Sequence, residues 1–274
     1  MAESFTGASL PPPDLERLHA AVRAVWASKW GARAVRAAAA VGTPLDTLAM
    51  SVLLQPLVAA RAAFVSHTRD PRGSSILEGS GSTPRMYVEA VTGLGEALVG
   101  NVSGRALCYT VDVAAVLQAA PAAGAPPLKC LGGAGTADTP LAAWVAAWPE
   151  TALSAALAAL HVEAAPSKAW AVHAKGAADG AATCGLIARS ASNMEDLAGY
   201  AGAGVFDSVT TNGVVYAPAA AAAFDAGFKV VGAQLIAIAL AAAEVATQLG
   251  GEQDIEGVVT AAGDITIVQA RPQV

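Results

Sequence analysis

The feature that most constrains this fold lies near the C-terminal end, where Asp254–Thr260 and Ile265–Arg271 flank Ala262-Gly263. Both flanks are β-rich. Glycine tolerates the positive φ of a tight turn, so the dipeptide reads as the two-residue loop of a hairpin. That loop sets Glu256 opposite Gln269 and Asp254 opposite Arg271. The period of two then places all four side chains on one face. Carboxylates are hard oxygen ligands for Mg²⁺, and a guanidinium forks onto phosphate oxygens. Spacing alone leaves two readings open: a metal–nucleotide site in outline, or a cross-strand ion pair with a polar neighbour at a sheet edge.

The 274 residues suffice for one large domain or two lobes with a real core. Alanine runs at 37–40, 119–125, 142–160 and 217–223 inflate the apolar share and read as helix and loop composition. A net charge of −6 argues against a nucleic-acid binder, which would show a basic stripe. Cys108, Cys130 and Cys184 are odd in number and form no CxxC. Neither a zinc knuckle nor a disulfide framework is indicated, and a reducing compartment is the simpler expectation. Residues 1–13 read as a disordered leader without the basic and apolar regions of a secretory signal, and without the arginines of a transit peptide. Gly232–Leu249 carries Gln234, Glu244 and Gln248 and falls short of a clean membrane span. A soluble protein with no membrane partner is expected.

Asp14 after three prolines is a helix N-cap, and Leu15, Leu18, Val22, Val25 and Trp26 follow at helical spacing to about Trp30. Trp26 and Trp30, one turn apart, are expected in the core. A second helix ends at Gly42-Thr43-Pro44. Thr47–Val58 reads as a buried strand, with further strands at Ala62–Thr68, Tyr87–Val91 and Arg105–Val113. The Gly/Ser/Arg-rich residues 69–83 read as an exposed loop. Gly93-Leu94-Gly95-Glu96 precedes a short helix, and Trp144–Leu160 is expected to form one helix. A strand at Gly185–Ser190 leads to the small-residue run Gly199–Gly204, whose backbone can approach a ligand closely. A long helix at about Ala226–Leu249 precedes the hairpin.

Arg189-Ser190-Ala191-Ser192-Asn193-Met194-Glu195-Asp196-Leu197, the Gly199–Gly204 run, and the closing Gln253–Gly257 and Val268–Val274 resemble the nucleotide-binding domain of the dikinases. That group includes phosphoenolpyruvate synthase, pyruvate phosphate dikinase and the α-glucan water dikinases. Val25–Trp30, Ala63–Thr68 and Gly93–Asn101 with Gly104–Leu107 are most similar to the starch-phosphorylating α-glucan water dikinases. Pro56 and Met194 depart from the usual pattern, which has Glu after Gln55 and a small residue in the Asn-x-Glu-Asp turn.

The resemblance implies an α+β, ATP-grasp-like domain over residues 14–274, with two lobes around antiparallel sheets. Its lobe segments are 14–113 and 184–274, with an Ala-rich insertion or linker at about 117–182. It further implies a kinase using ATP and Mg²⁺ to phosphorylate a histidine on a separate domain. That histidine passes the β-phosphate to an α-glucan, in a plastid. By matching motifs, Arg189 and Arg271 hold phosphate oxygens, Glu256 and Gln269 take the metal, Asp254 orients the site, and Glu96 lies near the nucleotide. His67 matches the family's nucleotide-domain histidine rather than the phosphoacceptor, and reads as structural or as a ligand contact. The chain is expected to supply the nucleotide half of a larger enzyme. The alternatives are a non-catalytic nucleotide-binding module and the corresponding domain of another dikinase such as phosphoenolpyruvate synthase.

Overall fold

The computed structural model describes residues 15–58, 60–72, 85–93, 95, 98, 106–121, 141–164, 170–173, 185–194, 205–211, 214–217, 228–260 and 263–273. These fall into two compact units. One draws on Met1–Ala59 and His173–Val215, the other on Ala60–Val172 and Tyr216–Gln273.

In the first unit, β1 (Met50–Pro56) pairs antiparallel with β7 (Leu186–Ser192), which pairs with β8 (Val209–Thr210). Helix α1 (Leu15–Ser28) packs on this sheet through Ala21 and Val25 against Ala188, Met50, Val52 and Val209. Helix α2 (Ala32–Val41) buries Ala34 and Ala38 against Leu48, Met194 and Phe206. It stops at Gly42, whose φ of 71° is the left-handed C-cap conformation that glycine adopts without steric cost.

Two expectations fail here. Trp26 and Trp30 are 52% and 63% exposed, so they are not core. The stripe that faces the sheet is Ala21, Val25 and Ser28, one residue out of phase with Trp26. Small residues let the helix approach the strands, and that decides which side turns inward. The strand expected at Thr47–Val58 is shorter and only half covered, since Leu53 and Leu54 are exposed. β1 is an edge strand, and α1 covers it through Met50 and Val52.

The second unit holds a six-stranded antiparallel sheet in the order β11-β10-β2-β3-β4-β5. Its members are β2 (Ala62–His67), β3 (Met86–Thr92), β4 (Leu107–Val111), β5 (Leu160–Ala164), β10 (Gln253–Val259) and β11 (Ile265–Pro272). Alternate residues of these strands, Phe64, Val88, Tyr109, Val111, Ile255 and Val259 among them, point to one core. That core is closed by α3 (Val113–Ala119), α4 (Leu141–Ala146), α5 (Glu150–Ala158) and α6 (Phe228–Leu249). Gly232–Leu249 is long and apolar enough to cross a bilayer by length and composition. Its Leu235, Ile236, Ile238 and Leu240 nevertheless lie in this core, and Tyr109 Oη donates to the Leu235 carbonyl at 3.1 Å. β6 (Trp170–His173) and β9 (Val214–Ala217) form a separate two-stranded sheet.

Several boundaries move for local reasons. The strand expected to reach Val113 ends at Val111, because Asp112 caps α3 by accepting from the Ala115 amide at 3.0 Å. The single helix expected at Trp144–Leu160 is two, α4 and α5, with Pro149 at the junction. Proline lacks the amide an uninterrupted helix needs and suits a helix start instead. Within 117–182, α4, α5 and the turn between them add Leu141, Val145, Trp148 and Ala156 to the core, and β5 pairs with β4 as the outer strand of the sheet. The result is an α+β fold built on antiparallel sheets.

Candidate functional site

One face of the six-stranded sheet is covered by the helical core, and the other carries polar side chains in register. The first row runs Arg271, Asp254, His67, Tyr87 and Thr110 across β11, β10, β2, β3 and β4. The next row runs Gln269, Glu256, Val65, Glu89 and Cys108 across the same strands. Asp254, Glu256, Gln269 and Arg271 therefore share a face, in the pairing expected from the sequence.

They reach it by a different route. Val259 pairs with Ile265, so the turn is longer than the Ala262-Gly263 dipeptide, and it is closed by Thr260 N donating to Asp264 O at 2.9 Å. Gly263 supplies the positive φ, at 90°. Beyond the turn, Gly257 faces Ile267, one residue out of the two-residue-loop register. A bulge between Glu256 and Gly257, with Val268 as the extra residue, restores Glu256 to Gln269. The bulge is needed because Ile265, Ile267, Gln269 and Arg271 would otherwise share one face. With it, Ile265, Ile267 and Ala270 pack on the core while Gln269 and Arg271 point away.

Gly257 sits directly across from Phe64, and an added Cβ would lie 2.3 Å from Phe64 Cζ. The buried ring thus lies against the bare backbone beside Glu256.

Asp254 is engaged on both oxygens: Oδ1 is 2.5 Å from His67 Nδ1 and Oδ2 is 3.8 Å from Arg271 Nε. Glu256 faces Gln269 across the strands. Tyr87 donates to Glu89 at 2.7 Å, and Cys108 Sγ lies 3.7 Å from the same carboxylate oxygen. Burial pushes the Tyr87 phenol and the Cys108 thiol up, so both stay protonated donors at neutral pH. Arg72 lies 4.2 Å over the Tyr87 ring and binds Asp70 and Glu163 at 2.6–2.9 Å.

These Arg72 hydrogen bonds hold the Asp70 and Glu163 carboxyls below their usual values, with burial opposing. A carboxylate depressed in the folded state stabilises fully above its unfolded value of about 4 and loses that contribution as pH falls through the lower folded value. Arg72→Met is therefore expected to raise the midpoint of acid unfolding, followed by circular dichroism between about pH 5 and 2. Arg72 is half exposed, so the shift is expected to be small. An unchanged midpoint would show that the cluster contributes nothing to acid stability.

Arg189 lies in the first unit, on β7 opposite Leu53. Glu96, and the Gly199–Gly204 run, lie outside the described residues. His67, Tyr87 and Glu89 were not grouped with the hairpin by sequence reasoning. Alternation within β2 and β3 marks them as one face, but only the strand order brings them beside Asp254 and Glu256.

Comparison with known proteins places these observations. Residues 10–115 match the family described as "Pyruvate phosphate dikinase, AMP/ATP-binding domain". The chain is similar to "Alpha-glucan water dikinase, chloroplastic" of Solanum tuberosum, 32% identical over 286 positions that cover 100% of this chain and 15% of that protein. It is 34% identical to "Alpha-glucan water dikinase 2" of Arabidopsis thaliana over 258 positions, covering 93% of this chain and 16% of that protein. The chain thus spans about one sixth of the length of these relatives. Residues 10–115 thus match an ATP-grasp-like AMP/ATP-binding domain of the pyruvate phosphate dikinase family, and the chain as a whole is similar to one segment of the α-glucan water dikinases.

Proposed function

We propose that this chain is the nucleotide module of an α-glucan water dikinase, binding ATP with Mg²⁺ and driving phosphoryl transfer to a histidine on a separate domain. The observation that carries the reading is the placement of Arg271, Asp254, Glu256 and Gln269 in register on the polar face of the sheet. Phosphoryl transfer depends mainly on positioning and charge neutralisation, and this donor set supplies both.

The residues fit the groups they would hold. Glu256 and Gln269 offer hard oxygens, in keeping with the one or two protein ligands Mg²⁺ takes when phosphates and water complete its shell. Bound there, Mg²⁺ neutralises charge on the phosphates. Arg271, with Asp254 against its Nε, forks onto phosphate oxygens; Arg189 is proposed to hold phosphate oxygens on the resemblance of its own motif. Glu96, which lies outside the described residues, is proposed as a nucleotide contact from its motif alone. In the full reaction the histidine passes the β-phosphate to an α-glucan, the γ-phosphate goes to water and AMP leaves. Chloroplastic relatives suggest a plastid setting.

Titration calorimetry with ATP and Mg²⁺ is expected to show binding between about millimolar and micromolar, on the order of 4 to 8 kcal/mol. Absence of heat together with no thermal shift at millimolar ATP would overturn the reading.

A further inference from the structure

His67 stands in the middle of the polar face, and the donor set proposed above does not include it. Its Nδ1 lies 2.5 Å from Asp254 Oδ1, on the carboxylate whose other oxygen faces Arg271 Nε. Its ring stacks on Tyr87, with 6.0 Å between centroids and 24° between planes. Tyr87 is itself fixed, by its hydrogen bond to Glu89 and by Arg72 over its face. The imidazole is therefore held at its edge by a carboxylate and on its face by an aromatic ring whose own position is set. His67 and Asp254 are both largely buried, with 25% and 16% of their side chains exposed, which limits competition from water for this hydrogen bond.

We infer that His67 is a positioning residue for the nucleotide site: its Nδ1–H anchors one oxygen of Asp254 so that the other aims at Arg271 and holds the guanidinium toward phosphate. This rests on the reading above, in which Arg271 meets phosphate. An anchored carboxylate presents a single oxygen to Arg271. A carboxylate released from His67 can turn and accept both forks of the guanidinium, the stronger bidentate pair. That pair would withdraw Arg271 from the ligand. A short aspartate is readily fixed by one further hydrogen bond, whereas a long arginine has many rotamers. Pre-ordering the arginine through the aspartate lowers the conformational cost of binding. Among the described residues, the charged and titratable groups facing His67 are Asp254 from β10, Tyr87 from β3 and Asp70 from the segment after β2, with Arg72 over the Tyr87 ring.

The test uses the full chain with His67→Ala and His67→Asn, whose amide can replace the Nδ1–H donor. Dissociation constants for ATP with Mg²⁺ are read by calorimetry beside melting temperatures. Imidazole nitrogen spectra of the unsubstituted protein report the tautomer without nucleotide. The expected results are an Nδ1–H tautomer for His67, an affinity loss of about tenfold in His67→Ala, and a value within about twofold of wild type in His67→Asn. A histidine that only packs would lower melting temperature in both variants and leave affinity per folded molecule unchanged. Wild-type binding with an equal constant in His67→Ala would overturn the positioning role and leave the nucleotide reading standing. An Nε2–H tautomer in the wild type would also overturn it, whether or not His67→Ala folds. A wild-type chain that binds no ATP would overturn the nucleotide reading and the role with it.

Discussion

Arg271→Ala is expected to slow phosphoryl transfer to a supplied phosphohistidine domain by on the order of a hundredfold or more, as loss of a charge-stabilising donor does elsewhere. ATP affinity is expected to fall much less, because a group matched to the charge developing in transfer contributes less to ground-state binding. Glu256→Gln separates the second half of the site. Removing its charge is expected to weaken the Mg²⁺ dependence of both binding and transfer. The competing view makes Asp254 and Arg271 a structural ion pair, 3.8 Å apart with 16% and 18% of their side chains exposed. That view predicts a lower melting temperature with transfer per folded molecule unchanged. Single-turnover transfer and thermal unfolding, measured on the same two variants, decide between them. The non-catalytic alternative makes its own prediction: ATP bound by the wild-type chain, and no phosphate passed to the acceptor domain.

Gly257→Val is expected to destabilise the second unit by about 3 kcal/mol, the upper part of the usual range for overpacking a filled core. The cause is Phe64, whose Cζ lies 2.3 Å from the position a Cβ would take, and whose ring is 1% exposed. A melting temperature lower by roughly 6–12 °C corresponds to that cost in a chain of this size. Gly232 offers a contrast. The nearest atoms to a Cβ there all belong to Leu157, with Cδ2 at 2.6 Å, the end of a flexible side chain, so Gly232→Ala should cost less. A double-mutant cycle isolates the contact: Gly257→Ala should cost clearly less in a Phe64→Leu background than in the wild type. Equal costs in the two backgrounds would mean that the ring is not what requires glycine. Because Gly257 adjoins Glu256 and the bulge, such variants should also disturb nucleotide binding in molecules that remain folded.

Much of the hairpin was legible in the chain because its information is local. Period-two alternation, a glycine able to take positive φ, and four polar residues at matched distances from it placed Glu256 with Gln269 and Asp254 with Arg271. A two-residue turn and the longer observed one lead to the same pairs, because the bulge compensates for the longer loop. The signal for that bulge was present in the phase change from Ile265 and Ile267 to Ala270, which strict alternation does not allow. The helix–strand junction at Asp112 and the helix break at Pro149 were equally local signals, readable from capping chemistry and the missing proline amide.

What lay beyond the sequence was decided by distant partners. Trp26 and Trp30 have the spacing of a buried pair, yet the close approach of α1 to Ala188 turned a smaller stripe inward. His67 and Asp254 are 187 residues apart, and nothing in either strand specifies that β2 lies beside β10. Alternation determines which residues of a strand share a face. Which strands become neighbours follows from burying all the apolar faces under α3, α4, α5 and α6 at once. The four polar residues of the hairpin were therefore set by sequence. The histidine, tyrosine and glutamate beside them were set by the sheet, since only its strand order brings residues so far apart in the chain onto one surface.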